Sequence, residues 1–350
     1  MPDAQIEQPT EVTPSTEQLV TDVLASIDRE REREIVARRF GLFDRKETLE
    51  QIGEMLGITR ERVRQLEKSV ITKLRQSGGQ GTLPHINAFE TSVVEKLAAM
   101  GQAARVTTLT ASLVEDPNKV EQARTAFLAS LCPLLVVINE DDHFYNSVGV
   151  ASHHDEKQHK ALVATIIETI KKLGEPKPIE EIALAAEISD AKQAEALAST
   201  SKALATLNGR WGLVKWPMVN PKNIRDKIYV ILKEHGKHLH FNEIAEAIKD
   251  SEFKRKDVTT QAIHNELIKD KRFVLIGRGI YALKEWGYEK GTVADIITEV
   301  LKKAGEPLHR DEIVKRVLES RYVKETTILL NLQGKSQFKR VAKATYDLAG

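Results

Sequence analysis

The chain has 350 residues, 41% of them hydrophobic and 29% charged, which is enough apolar material for several small cores. A formal net charge of +1 excludes a uniformly basic nucleic-acid coat, so any nucleic-acid surface must be local. A single cysteine, Cys132, excludes an intramolecular disulfide and a multi-cysteine zinc site, and suits a reducing cytoplasm.

Residues 1–15, rich in Pro, Gln, Glu and Thr, predict a disordered tail without the basic start and apolar core of a signal peptide. The longest apolar run, Leu131 to Ile138, is too short to span a bilayer, so a cytoplasmic, nucleoid-associated protein with no membrane contact is expected. From Thr16 a helix carries Leu19, Val23, Leu24 and Ile27 on one face; a second turns Ile35, Val36 and Phe40 inward and closes at Gly41. Thr48 and Gln51 then form a capping-box pattern ahead of a helix with Leu49, Ile52 and Leu56 as its apolar face, ended by Gly57. After the turn Gly57, Ile58, Thr59, a further helix buries Val63, Leu66, Val70 and Leu74. Its other side shows Arg60, Glu61, Arg64, Gln65 and Lys68, donors and acceptors suited to base edges, while Arg62, Lys73 and Arg75 flank it and suit phosphates. The alternative is a solvated charged face on an ordinary helical hairpin.

The stretch from Leu19 to Gln76, with TLEQIGEMLGITRERVRQLEKSVITKLR as its second half, resembles region 4 of the sigma-70 family of bacterial transcription initiation factors. The resemblance implies that Arg60, Glu61 and Gln65 read the minus-35 promoter element, with Arg62 and Arg64 near backbone and bases. It also implies contact with the β flap of RNA polymerase. One departure is Ser69, where the family often carries a basic residue.

The segment Gln76 to Pro84, with Gly78, Gly79 and Gly81, reads as a flexible hinge; it lacks the GK[ST] of a phosphate loop. Beyond it the chain repeats. Four amphipathic helices end near Gly101, Gly174, Gly236 and Gly305, each followed by an extended stretch, further helices and an alternating pattern that predicts a β-hairpin. The hairpin turns are expected at Glu140 to Asp142, Asn208 to Gly209, Gly277 to Gly279 and about Ala342 to Ala344. The fold class is therefore mainly α: a helix-turn-helix domain at 16–76, a Gly-rich linker at 77–84, then four tandem winged-helix modules at 85–151, 157–217, 221–287 and 291–350. KIYVILKEHGKHLHFNEIAEAI with RFVLIGRGIYAL in the third module is similar to the HARE-HTH family, seen also in the RNA polymerase delta subunit, and the fourth module is a weaker relative. That resemblance implies fold more firmly than activity.

In the third module Lys254, Arg255 and Lys256 precede a helix with Thr259, Thr260, Gln261 and His264, and Arg278 tips the wing, all placed for DNA contact; a solvated basic loop is the equal alternative. Modules three and four are basic by about three or four charges each, whereas the first is acidic by about as much, which fits protein contact better. Trp211, Trp216, Tyr281 and Trp286 read as apolar cover between hairpin and helices. The histidine groups His235, His238, His240 and His153, His154, His159 have no carboxylate or cysteine partners, so no metal or other cofactor is expected, and no catalytic motif argues for an enzyme. The expected function is sigma factor-like transcription initiation on promoter DNA, accessory or regulatory because no aromatic-rich minus-10 melting segment is found. The rival is an adaptor that docks on RNA polymerase or a partner without reading DNA; recognition of modified bases is a weaker third. The sequence leaves the oligomeric state open.

Overall fold

The computed structural model describes residues 14–153, 155–253, 257–288 and 290–349. It is 56% helical with four small antiparallel sheets, and divides into two compact units, residues 1–214 and 215–350.

The first unit opens with α1 (Thr16–Ala25), where the Ser15 side chain accepts the Gln18 N–H, and α2 (Glu30–Phe40), stopped by Gly41 in the left-handed region. The capping box at Thr48 and Gln51 forms as expected and starts α3 (Leu49–Leu56), which Gly57 ends with a left-handed φ of 62°. Thr59 caps α4 (Arg60–Gly79) by accepting the Arg62 N–H. Ile35, Ile52 and Val63 form a small core between α2, α3 and the first turns of α4, with Leu49, Leu56, Ile58 and Leu66 packed on it.

The rest of α4 behaves differently from expectation. The glycine segment is no flexible hinge at its start: α4 runs unbroken for 20 residues through Gly78 and Gly79. A Cβ on Gly78 would lie 2.3 Å from the carbonyl oxygen of Leu131, so that glycine lets the helix sit directly on a neighbouring turn. The neighbour is built from α5 (Ile86–Ala99), β1 (Ala103–Arg105), α6 (Val106–Leu113), α7 (Lys119–Ala129) and the hairpin β2 (Leu135–Ile138) and β3 (Ser147–Val150). One continuous hydrophobic core joins it to the N-terminal helices, running from Leu19, Val23, Val70 and Leu74 to Val93, Phe127, Leu131 and Val150. Phe40 meets Phe127 with ring centroids 5.1 Å apart. Arg124, 6% exposed, donates from Nε to the Leu42 carbonyl and forms ion pairs with Glu17 at 2.9 Å and Glu121 at 2.6 Å. Cys132 packs as a small apolar residue, and burial pushes its thiol well above the ordinary range.

Between β2 and β3 the expected tight turn at Glu140 to Asp142 is instead an eight-residue loop. It is held open by the next group of elements: α8 (Glu156–Leu173), β4 (Lys177–Pro178), α9 (Ile179–Ala185), α10 (Ala191–Thr200), β5 (Leu204–Leu207) and β6 (Arg210–Leu213). Tyr145 N–H donates to the Thr200 carbonyl at 2.9 Å and Lys202 N–H to that of His143 at 2.8 Å. The Arg105 guanidinium lies 3.9 Å from the Tyr145 ring centroid and donates to the Ser199 carbonyl.

The second unit holds α11 (Ile224–His235), β7 (Leu239–His240), α12 (Phe241–Asp250), α13 (Thr260–Lys269), β8 (Phe273–Gly277) and β9 (Ile280–Leu283). There follow α14 (Val293–Ala304), β10 (Leu308–His309), α15 (Arg310–Ser320), α16 (Glu325–Gly334), β11 (Phe338–Ala342) and β12 (Thr345–Leu348). All four repeats thus share one order: helix, short strand, two helices, hairpin. In each sheet the second hairpin strand lies in the middle, paired with both the first hairpin strand and the short strand. Gly174, Gly236 and Gly305 cap the leading helices in left-handed conformation. Trp211 and Tyr281 are buried strand residues, while Trp216 and Trp286 lie beyond the strands and are half-buried. No helix among the described residues is long and apolar enough to cross a membrane.

Candidate nucleic-acid interface

The first two turns of α4 project beyond the shared core. Val63 is fully buried on one side, and Arg60, Glu61, Arg62, Arg64 and Gln65 are exposed on the other. Those side chains brace one another. Arg64 donates from Nε and Nη2 to the two carboxylate oxygens of Glu61 at 2.8 and 2.7 Å, in a bidentate fork. Gln65 Nε2 reaches Glu61 Oε1 at 3.4 Å, Arg62 Nη1 reaches Gln65 Oε1 at 3.4 Å, and Arg60 Nη1 lies 3.1 Å from Glu50 Oε1 on α3. The Arg64 hydrogen bonds hold the Glu61 carboxyl below its usual range, so it stays an acceptor at neutral pH.

Both ion pairs are more than half exposed, and surface pairs of this kind contribute about 0–1 kcal/mol. They order the side chains yet yield readily to a stronger partner. Chemically the set offers forked donors for guanine O6 and N7, an amide for adenine N6 and N7, and a carboxylate for cytosine N4.

The predicted phosphate contacts Arg62, Lys73 and Arg75 separate. Arg62 and Lys73 are exposed on α4, as is Lys68 of the base-edge set. Arg75 donates from Nε to the Ser130 carbonyl at 3.0 Å, which ties α4 to the end of α7. A groove opens beside it, lined by Lys46, Lys68, Thr72 and Arg75 together with Leu131 and Val137. Lys46, in the loop before α3, has no signature in the sequence, because an isolated lysine between Arg45 and Glu47 carries no periodic signal. In the second unit Arg278 is exposed between β8 and β9, and Thr260 and Gln261 are exposed on the first turn of α13. His264 is drawn into an aromatic group, 5.2 Å from Phe241 and 6.2 Å from Tyr281 between centroids. Lys254, Arg255 and Lys256 lie outside the described residues. Among the described residues no group of three His, Cys, Asp or Glu side chains is arranged to hold a metal ion.

A capped helix, a tight glycine turn and a second helix that presents an exposed polar face define a helix-turn-helix domain. Residues 29–76 match the family described as Sigma-70, region 4, a non-catalytic part of transcription regulators. The RNA polymerase sigma factor sigB of Arabidopsis thaliana is 52% identical over 46 residues, 13% of this chain and 8% of the relative. The sigma factor RpoD of Helicobacter pylori (strain 26695) is 56% identical over 48 residues, 13% and 7% of the two chains. The sigma factor SigA of a Bacillus species is 49% identical over 55 residues, 15% and 14%. The chain spans only a small fraction of the length of the curated relatives it matches.

Proposed function

We propose that the chain is an accessory factor of transcription initiation that reads a minus-35 promoter element through α4 and associates with RNA polymerase, the β flap being the docking point the family resemblance implies. Arg60, Glu61, Arg64 and Gln65 are the base-reading set, with Lys68 one turn further along the same face; Arg62 and Lys73 hold the backbone. The observation that carries this reading is the braced, exposed array on the first two turns of α4, at the positions where the match to region 4 falls. The four repeated three-helix, three-strand units are read as winged helices, the last two HARE-HTH-like; their shared element order and sheet topology support that reading.

The test is fluorescence anisotropy of the intact protein on a minus-35 consensus duplex and a scrambled one across salt concentrations. Gln65→Ala or Arg60→Ala is expected to cost about 1–3 kcal/mol on the consensus and to erase the preference. Lys73→Ala is expected to weaken both duplexes equally. Equal loss on both duplexes with Gln65→Ala would refute base reading.

A further inference from the structure

The last two hairpins are the same device built twice. Phe273, Val274, Leu275 and Gly277 of β8 face Leu283, Ala282, Tyr281 and Ile280 of β9. Sixty-five positions on, Phe338, Lys339, Arg340 and Ala342 of β11 face Leu348, Asp347, Tyr346 and Thr345 of β12, with the same irregularity in the same place. Backbone geometry is repeated; chemistry is not.

The first hairpin is spent on protein. Val274, Ile276 and Ala282 are fully buried, with Trp286 and Tyr288 packed on them. The connection between α15 and α16 runs along its edge: Tyr322 N–H donates to the Ile276 carbonyl at 3.1 Å and Arg321 donates to that of Leu275. A Cβ on Gly277 would stand 2.8 Å from the Tyr322 carbonyl oxygen, so the two segments are in direct backbone contact.

Among the described residues the second hairpin has no such cover. Beyond Phe338 every residue of β11 is exposed, and Lys339 and Arg340 stand where the first hairpin has Val274 and Leu275. Lys343 follows in the turn. Among the described residues no carboxylate lies within ion-pair distance of these three cations; Asp347, across from Lys339, is the single acid of the hairpin. The remainder of the repeat is electrically balanced. Residues 291–323 hold six Lys or Arg against six Asp or Glu, with pairs such as Arg316–Glu312 and Lys303–Glu299, whereas residues 324–350 hold five against two. The whole excess of positive charge lies in residues 324–350, at Lys324 and Lys335 flanking α16 and in the hairpin that follows. Arg340 donates from Nε to the Ala342 carbonyl at 3.1 Å, which leaves the rest of its guanidinium to solvent. A solvated row of cations with no carboxylate partner among the described residues fits a regular polyanion without reading its sequence.

We propose that the β11–β12 hairpin is a second, sequence-independent site for duplex DNA, in which Lys339, Arg340 and Lys343 contact the phosphate backbone. The β8–β9 hairpin instead holds the following repeat along its edge strand. This rests on the reading of the chain as a DNA-binding protein.

The experiment uses the full-length protein and a scrambled duplex, with anisotropy followed against salt. Replacing Lys339, Arg340 and Lys343 together by Ala is expected to make the log K against log salt slope shallower by about 2 to 3. The loss should be the same on consensus and scrambled DNA, and the thermal melt unchanged because all three side chains are exposed. Replacing Lys302, Lys303 and Lys315 by Ala removes the same charge from the balanced half and is expected to leave the slope unaltered. Equal effects of the two triple variants, or an unaltered slope with the hairpin variant, overturn the proposal. So does a hairpin variant that binds DNA as the parent does but no longer retains RNA polymerase. The promoter reading is judged separately by Gln65→Ala on the consensus duplex; if the intact protein binds no duplex at any salt, both readings fall.

Discussion

Asp141 shows how much one exposed carboxylate can organise. Its Oδ1 accepts the N–H groups of His143 at 2.7 Å and Phe144 at 2.8 Å, and Lys160 lies 3.6 Å from its other oxygen. The backbone hydrogen bonds, first from His143, hold its carboxyl below the ordinary range. The sign follows from linkage: a carboxyl that binds its proton less readily folded than unfolded stabilises the fold above its unfolded pKa. That contribution is lost as pH falls through the folded value. Asp141→Ala is therefore expected to destabilise the first unit at pH 7 in urea unfolding, and the gap from the parent is expected to narrow as pH drops below the carboxylate range. A gap constant with pH would show that the side chain acts by packing alone. Glu61 follows the same sign on the exposed face of α4, so its acceptor role persists into mildly acid solution.

At the level of elements, the two adjacent glycines of α4 separate a packing role from a conformational one. Gly78→Ala forces a methyl against the Leu131 carbonyl and is expected to destabilise the first unit by about 1–3 kcal/mol, the usual cost of overpacking. Gly79→Ala meets nothing within 4 Å at helical φ and is expected to be neutral or to stabilise by about 0.5–1 kcal/mol. A hinge would respond to both substitutions alike, and chemical denaturation of the two variants decides between these cases. The contrast also shows what was legible in the sequence. Local chemistry was readable wherever the cause is local: the Thr48–Gln51 box, the Gly57 stop, the leading-helix caps at Gly174, Gly236 and Gly305, and the Asn208–Gly209 turn, whose residues both take positive φ. Gly78 departs from the hinge its neighbours predict because the reason for it, a carbonyl 53 positions away, has no signature in the local sequence. The loop between β2 and β3 is longer than its local sequence predicts for the same kind of reason, since Thr200 and Lys202 hold it open. Within the candidate interface, the positions on α4 follow from helical spacing, whereas the anchoring of Arg75 on Ser130 and the presence of Lys46 beside the groove come from tertiary packing.

Across the whole molecule, apolar burial falls into two compact units with cores of their own. Calorimetry of the intact chain is expected to resolve two unfolding transitions, and Gly78→Ala is expected to lower one while leaving the other in place. A single transition moved as a whole would show that the units unfold together. The first unit is also indivisible at the point where its sequence most invites cutting. The core that begins at Leu19 is completed only by Phe127, Leu131 and Val150. A protein trimmed after residue 80 would expose Leu19, Val23, Val70 and Leu74 as a greasy scar, and such a fragment would be expected to clump with its own kind before it met any promoter. The reading head and its mount are thus a single casting, and whatever steers the mount aims the first two turns of α4.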